Sequence, residues 1–297
     1  AREGITAGDE AGRDPAALDL ALRRRAAARL RVLARWGRDR PAVLALLFEE
    51  IDRESLRALV RGTVAGVHSA ARLAACLPTP ALPERALATL AAQPDVPRLA
   101  ALLRAWQSPY GPPLAAAAGT GQPDPLALQL ALDRTWATRA ERTARVLGGP
   151  VRAHVRLGID LANAVTALAL AGRTGDLAPA DAFLEGGHDL RRAAFEAACR
   201  ARDATLAATL LAACWPGAPI GRCLAAAPAD LATLDRCLLG ARLAQARRAE
   251  RLDPSGPAPL LHFLLRLRAE ACDLRRLVWG LALGAPAARL QADLVTV

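Results

Sequence analysis

DPAALDLALRR at residues 14–24 and DPLALQLALDR at residues 124–134 are two versions of one phrase. Each opens with aspartate and proline, then places leucine and alanine at three- and four-residue intervals. That spacing predicts an amphipathic helix. The first two letters say how it starts: the carboxylate accepts an N–H that the first helical turn leaves unpaired, and proline has no such N–H to satisfy. A looser third copy, PADLATLDR at 228–236, puts Asp230 at the cap position. A helix start recurring at such long intervals points to a repeated helical unit.

A second phrase follows further along each copy. DRESLRALV at 52–60, DLANAVTAL at 160–168 and EACDLRRLV at 270–278 align without gaps. Their leading acids, Asp52, Asp160 and Glu270, stand 108 and 110 residues apart. Three positions on come the short polar residues Ser55, Asn163 and Asp273, and each apolar pattern then runs to a glycine: Gly66, Gly172 or Gly284. Two copies match for longer. LPERAL from Leu82, then Asp95 and Leu102-Leu103, parallels LRRAAF from Leu190, then Asp203 and Leu210-Leu211. The third copy stops soon after Pro286. The expected architecture is all-α, with three pseudo-symmetric helical lobes at 1–121, 122–227 and 228–297, the last a truncated repeat.

The rest of the chain agrees with this class. Leucine and alanine recur at helical spacing almost throughout, runs of β-branched and aromatic residues at period two are missing, and Gly/Pro breaks divide the sequence into about ten helices. At 53% hydrophobic over 297 residues the chain can bury a substantial core. It contains no methionine, so a processed or incomplete chain whose start lies upstream is expected. All 39 basic residues are arginine, and the net charge of +10 favours acidic partners, nucleic acid or anionic lipid. Six cysteines, at 76, 199, 214, 223, 237 and 272, form no C-x-x-C pair, which reads as a reduced cytoplasmic protein. The two longest uncharged runs, 105–123 and 204–221, are interrupted by proline and glycine, so neither reads as a membrane span.

Motifs for chemistry are missing. The histidines at 68, 154, 188 and 262 show no zinc-binding spacing and read as surface or core residues. Gly148-Gly149 and Gly186-Gly187 lack the context of a phosphate-binding loop and read as turns. No serine or cysteine sits in a nucleophile pattern. The Arg23-Arg24-Arg25 run with Arg29 and Arg31 reads as a solvated helix face, and the tryptophans at 36, 106, 136, 215 and 279 as core packing. The residues singled out are the repeat positions Asp52, Ser55, Asp160, Asn163, Glu270 and Asp273. Their leading acids are expected to be half-buried and paired with arginine, Arg156 and Arg266 being the i, i+4 partners of Asp160 and Glu270.

The triplicated unit, LPTPALPER at 77–85, IDLAN at 159–163 and above all LLRLRAEACDLRRLVWGLALG at 264–284 resemble the C-type subunit of bacterial and archaeal V/A-type ATPases, the relative of the d-type subunit of the eukaryotic V-ATPase. Ser55 and Asp273 stand where that family often has asparagine, which Asn163 keeps. The resemblance implies a non-catalytic central-stalk part of the rotor: a funnel of three lobes, one copy per complex, peripheral on the cytoplasmic face of the membrane. Its implied partners are the D- and F-type shaft subunits and the membrane proteolipid ring. It implies no cofactor, metal, small-molecule substrate or nucleic acid. A basic helical-repeat module binding nucleic acid is the alternative.

Overall fold

The computed structural model describes residues 14–119, 124–173, 178–226 and 230–296, and every regular element among them is a helix. Two long helices, α1 (Pro15–Trp36) and α2 (Pro41–Val64), lead into the short α3 (Ser69–Ala74), then α4 (Glu84–Ala91), α5 (Val96–Ala105) and α6 (Gly111–Ala118). The order recurs as long α7 (Pro125–Leu147) and α8 (Gly149–Leu170), short α9 (Pro179–Ala182), then α10 (Arg192–Cys199), α11 (Ala204–Ala212) and α12 (Pro219–Ala226). Long α13 (Leu231–Leu252) and α14 (Ala258–Ala282) and short α15 (Ala287–Ala292) close the series. The described residues thus hold fifteen helices against the ten or so that punctuation suggests. The surplus is short: α3, α9 and α15 span four to six residues, too few for a 3.6-residue period to register.

The caps explain where the helices start. Asp14 accepts from the N–H groups of Ala16 and Ala17 at 3.0 and 3.2 Å, and Asp124 from those of Leu126 and Ala127 at the same distances. Asp230 accepts from Ala232 at 3.0 Å; the break expected at Pro228 lies outside the described residues. Asp95 and Asp203 cap α5 and α11 alike, each accepting at 2.8 Å from the third residue on. Each such cap contributes about 1 kcal/mol.

The second long helix of each set ends at the predicted glycine, and all three glycines take positive φ, at 66°, 72° and 72° for Gly66, Gly172 and Gly284. After α2 and α14 the chain closes two reverse bonds. Val67 N–H donates to Gly62 and Gly66 N–H to Thr63, matched by Ala285 to Gly280 and Gly284 to Leu281. After α8 the pattern differs: Gly172 N–H donates to the Ala201 carbonyl at 2.9 Å and ties the helix end to the α10–α11 turn.

The core crosses the boundaries between these helix sets. α2 packs on α7, α7 on α8, α13 on α14, and α14 returns to α1. One apolar cluster gathers Leu30, Leu47, Leu59, Leu132, Val155 and Leu261; a second joins Ala164, Phe195, Leu211 and Leu234. Burying each large aliphatic side chain contributes about 1.5–3 kcal/mol. Trp136 and Trp215 are buried as expected, but Trp36, the last residue of α1, is 80% exposed, and Trp106 and Trp279, at or near the ends of α5 and α14, are 42% and 41% exposed. Nor is the arginine run of α1 wholly solvated. Arg23 turns inward to the Leu73 carbonyl and Glu84, and Arg29 to Glu270, so only the rest of that face is open.

Cysteine usage is corrected as well. Cys223 of α12 and Cys237 of α13 form a disulfide, where the sequence read as fully reduced. The pair is fourteen residues apart and brought together only by the packing of α12 on α13, so no spacing motif announces it. Cys76, Cys199, Cys214 and Cys272 are free thiols.

A test of the helix ends follows from the glycines. Gly66→Ala meets open space and loses only what the positive φ costs, about 1 kcal/mol. Gly172→Ala loses that and more, because its Cβ would stand 2.8 Å from the Arg202 carbonyl oxygen. Denaturant unfolding should rank Gly172→Ala clearly the more damaging; equal losses would contradict the close approach.

Candidate functional site

The repeat positions reach their partners at nearly constant sequence offsets. Ser55, Asn163 and Asp273 each hold the backbone 21 or 22 residues further on, and do so with different chemistry. Asn163 makes a matched pair with Leu184: its amide donates to the carbonyl at 2.9 Å and its oxygen accepts the N–H at 2.8 Å. Ser55 does both with one atom, accepting Leu77 N–H at 3.1 Å and donating to Leu77 O at 3.4 Å. Asp273 can only accept, so it collects N–H groups from Val295 and Thr296 together with the Thr296 hydroxyl, all within 3.0 Å. An asparagine serves one residue with a donor and an acceptor; a carboxylate needs several donors, and the chain supplies them.

The leading acids part company. Asp160, fully buried, accepts from the backbone of His188, Asp189 and Leu190, and Gly187 is required beside it because a Cβ there would lie 2.0 Å from Oδ1. The turn at Gly186-Gly187 is an anion nest whose anion is the protein's own carboxylate. Burial pushes Asp160 upward, against those N–H bonds. Asp52 accepts the hydroxyl of Thr79 at 2.6 Å. Neither acid pairs with an arginine as expected: Arg156 lies 4.0 Å from Glu141, and backbone donors already satisfy Asp160. Glu270 does pair, but with Arg29 of α1 at 2.6 Å, while Arg266 faces solvent.

The densest polar cluster was not visible as a motif. Glu50, on α2 and 3% exposed, lies where helices from all three sets meet. Its Oε1 accepts from Arg242 of α13 at 2.9 Å and lies 3.8 Å from Arg268 of α14; its Oε2 is 2.9 Å from Nε2 of His154 on α8. Burial alone would raise this carboxyl; Arg242, His154 and Arg268 outweigh it and hold it well below the ordinary value. One turn on, Arg53 donates to Glu54 at 2.8 Å, lies 3.6 Å from Asp133 of α7, and stacks 3.9 Å from the Trp136 ring. Glu54 is opposed by burial but brought to about 2 by Arg53, Arg57 and Arg268. A further pair, Arg275 Nε with Asp19 at 2.8 Å, joins α14 to α1. The only sequence signal for this cluster was charge inside apolar helix stretches.

Chemically the arrangement suits holding rather than reacting. The buried arginines of the cluster face carboxylates, and burial pushes Cys76 up to about 12, Cys199 up to about 11, and Cys214 and Cys272 upward too, away from thiolate chemistry. No group of three or more metal-ligating side chains gathers among the described residues. A cavity of about 190 Å³ between α1, α2 and α14 is lined by Ile51, Leu264 and Cys272 with Asp19 and Arg275 at hand.

The family model described as vATP-synt_AC39, ATP synthase (C/AC39) subunit, matches residues 5–292. The chain belongs to that family. No curated protein matches it. As a C/AC39 family member the chain is related to a component of a rotary ATPase, and the triplicated D/E-x-x-S/N/D positions lie inside the matched span. No helix among the described residues of this C/AC39 chain is long and apolar enough to cross a membrane.

Two outcomes test the site. Glu50→Ala strands Arg242 in the interior and costs about 3 kcal/mol or more, whereas adding Arg242→Ala costs much less than a second independent loss; additive losses in denaturant unfolding would deny the coupling. Asp52 titrates the other way. Burial raises it to about 7, opposed by the Thr79 hydroxyl and assisted by Glu49. The folded chain therefore keeps a proton that the unfolded chain has released, and stability falls as pH rises from the unfolded carboxylate value through about 7. Asp52→Asn keeps an acceptor for Thr79 and should flatten that part of the stability–pH curve; an unchanged slope would refute the assignment.

Proposed function

We propose that this chain is the central-stalk socket of a V/A-type rotary ATPase, a non-catalytic part of the rotor that links the rotating shaft to the membrane proteolipid ring and carries torque between them. The observation that carries the reading is the convergence on Glu50. One buried carboxylate from α2 is engaged by α8, α13 and α14 together, and α14 returns to α1 through Glu270–Arg29 and Arg275–Asp19. A chain closed on itself in this way supports three lobes, at 1–121, 122–227 and 228–297, around a common centre. In this reading the chain has a funnel form, with D- and F-type shaft subunits in its mouth and the proteolipid ring beneath; membership of the C/AC39 family supports it.

A part that transmits torque has to resist deformation, and close-packed helices cross-linked by buried ion pairs do so. In this reading Asp52, Ser55, Asp160, Asn163, Glu270 and Asp273 are lobe-building positions that fix each long helix to the segment returning over it. They bind no cofactor. The chain sits peripherally on the cytoplasmic face of the membrane.

Affinity purification of the tagged chain from its native membranes should recover the shaft subunits and the proteolipid ring. Recovery without them, with nucleic acid bound instead, would replace this reading by the nucleic-acid module.

A further inference from the structure

The first long helix of each set ends in the same dipeptide chemistry. Counting from the caps Asp14, Asp124 and Asp230, the twenty-first and twenty-second residues are Arg35-Trp36, Arg145-Val146 and Arg251-Leu252. Each arginine lies in the last turn of its helix. Each apolar neighbour is thrust into solvent: Trp36 is 80% exposed, Val146 87% and Leu252 79%. A single exposed leucine needs no explanation. Three at one register position, each preceded by an arginine, do.

The tips lie near one another. Arg40, in the turn after α1, donates to the Ser255 carbonyl in the turn after α13 at 2.5 Å. Gly149 and Arg152, at the turn after α7, line a groove of about 800 Å³ together with Gln245 and Arg248 from the last two turns of α13. Residues 35–41, 142–152 and 247–256 hold nine arginines against three acids, more than half of the chain's net charge of +10. The side chains of Arg152 and Arg156, on the groove wall, donate no hydrogen bond among the described residues: their Nε atoms are buried without a hydrogen-bond partner, and their Nη atoms stand 3.7 and 4.0 Å from the Glu141 carboxylate.

We propose that the end of the molecule formed by the turns after α1, α7 and α13 docks on an anionic phospholipid surface, with Trp36, Val146 and Leu252 entering the headgroup layer and Arg35, Arg145 and Arg251 meeting the phosphates. The pattern of apolar groups decides between lipid and protein. A protein interface gathers its apolar side chains into a central patch ringed by polar groups. Here the three apolar side chains come from three different helix ends, each beside its own cation, which matches the headgroup boundary where every tip can insert on its own and indole is favoured. The proposal rests on the three-lobe reading for the three tips facing one way.

Flotation of the purified full chain with vesicles of phosphatidylcholine plus phosphatidylglycerol, against phosphatidylcholine alone, tests it. The chain should float with the anionic vesicles, less so at high salt, and the indole emission of wild type should shift to the blue where that of Trp36→Phe does not. Arg35→Gln/Arg145→Gln/Arg251→Gln should weaken binding at least about tenfold with a thermal midpoint little changed, since all three side chains are exposed and Glu141, which loses Arg145, keeps Arg152 and Arg156 nearby. Trp36→Ser/Val146→Ser/Leu252→Ser should remove the salt-resistant part. Equal binding to neutral vesicles, or anionic binding that survives the arginine changes, overturns the proposal. If wild type ignores vesicles while the arginine variant alone is lost from the purified rotary complex, the face belongs to a protein partner: the lipid proposal falls and the stalk assignment stands.

Discussion

A carboxylate buried between two arginines and a histidine from three other helices organises this fold. Glu50 could not stay ionised in an apolar interior by itself, since transfer out of water costs several kcal/mol per charge. It stays so because Arg242, Arg268 and His154 arrive together, and they arrive only when α8, α13 and α14 are all docked on α2. Apolar packing tolerates some slippage between helices; a charge that needs three partners does not. The interaction therefore adds register more than net stability.

Around that centre the second long helix of each set uses one device in three chemical versions. Ser55, Asn163 and Asp273 grip the backbone at the same distance along the chain, with the number of donors supplied by that backbone adjusted to what the side chain can accept. The asparagine version is the most economical, satisfying one N–H and one C=O at once. The aspartate version demands three donors and obtains them from Val295 and Thr296. A change of side chain at this position is thus a change of bonding partners around a retained contact.

Much of this was legible beforehand, and for local reasons. Helix starts at Asp14, Asp124 and Asp230, and helix stops at Gly66, Gly172 and Gly284, follow from what each residue does to its own turn of backbone. The pairing of Asp160 with Arg156 failed because i, i+4 proximity counts only when nothing better is in reach, and the turn at Gly187 delivers three N–H groups from 28 to 30 residues away. Arg23 looked like part of a solvated run until the carbonyl of Leu73 and the carboxylate of Glu84 came to it. Cys223 and Cys237 carry no spacing signal, and the short helices α3, α9 and α15 offer too few turns to be periodic.

By itself the sequence determined the helical class, the threefold recurrence of its long helices, their caps and terminators, and the family, all of which depend on interactions within a few residues or on repetition along the chain. Which acids meet cations and which meet backbone, the meeting of three helix sets on Glu50, and the closure of Cys223 on Cys237 were decided by the tertiary structure. Those contacts join groups up to 256 residues apart, as between Asp19 and Arg275. A charge finds its partner by distance through space, and no property of the chain's local order encodes that distance.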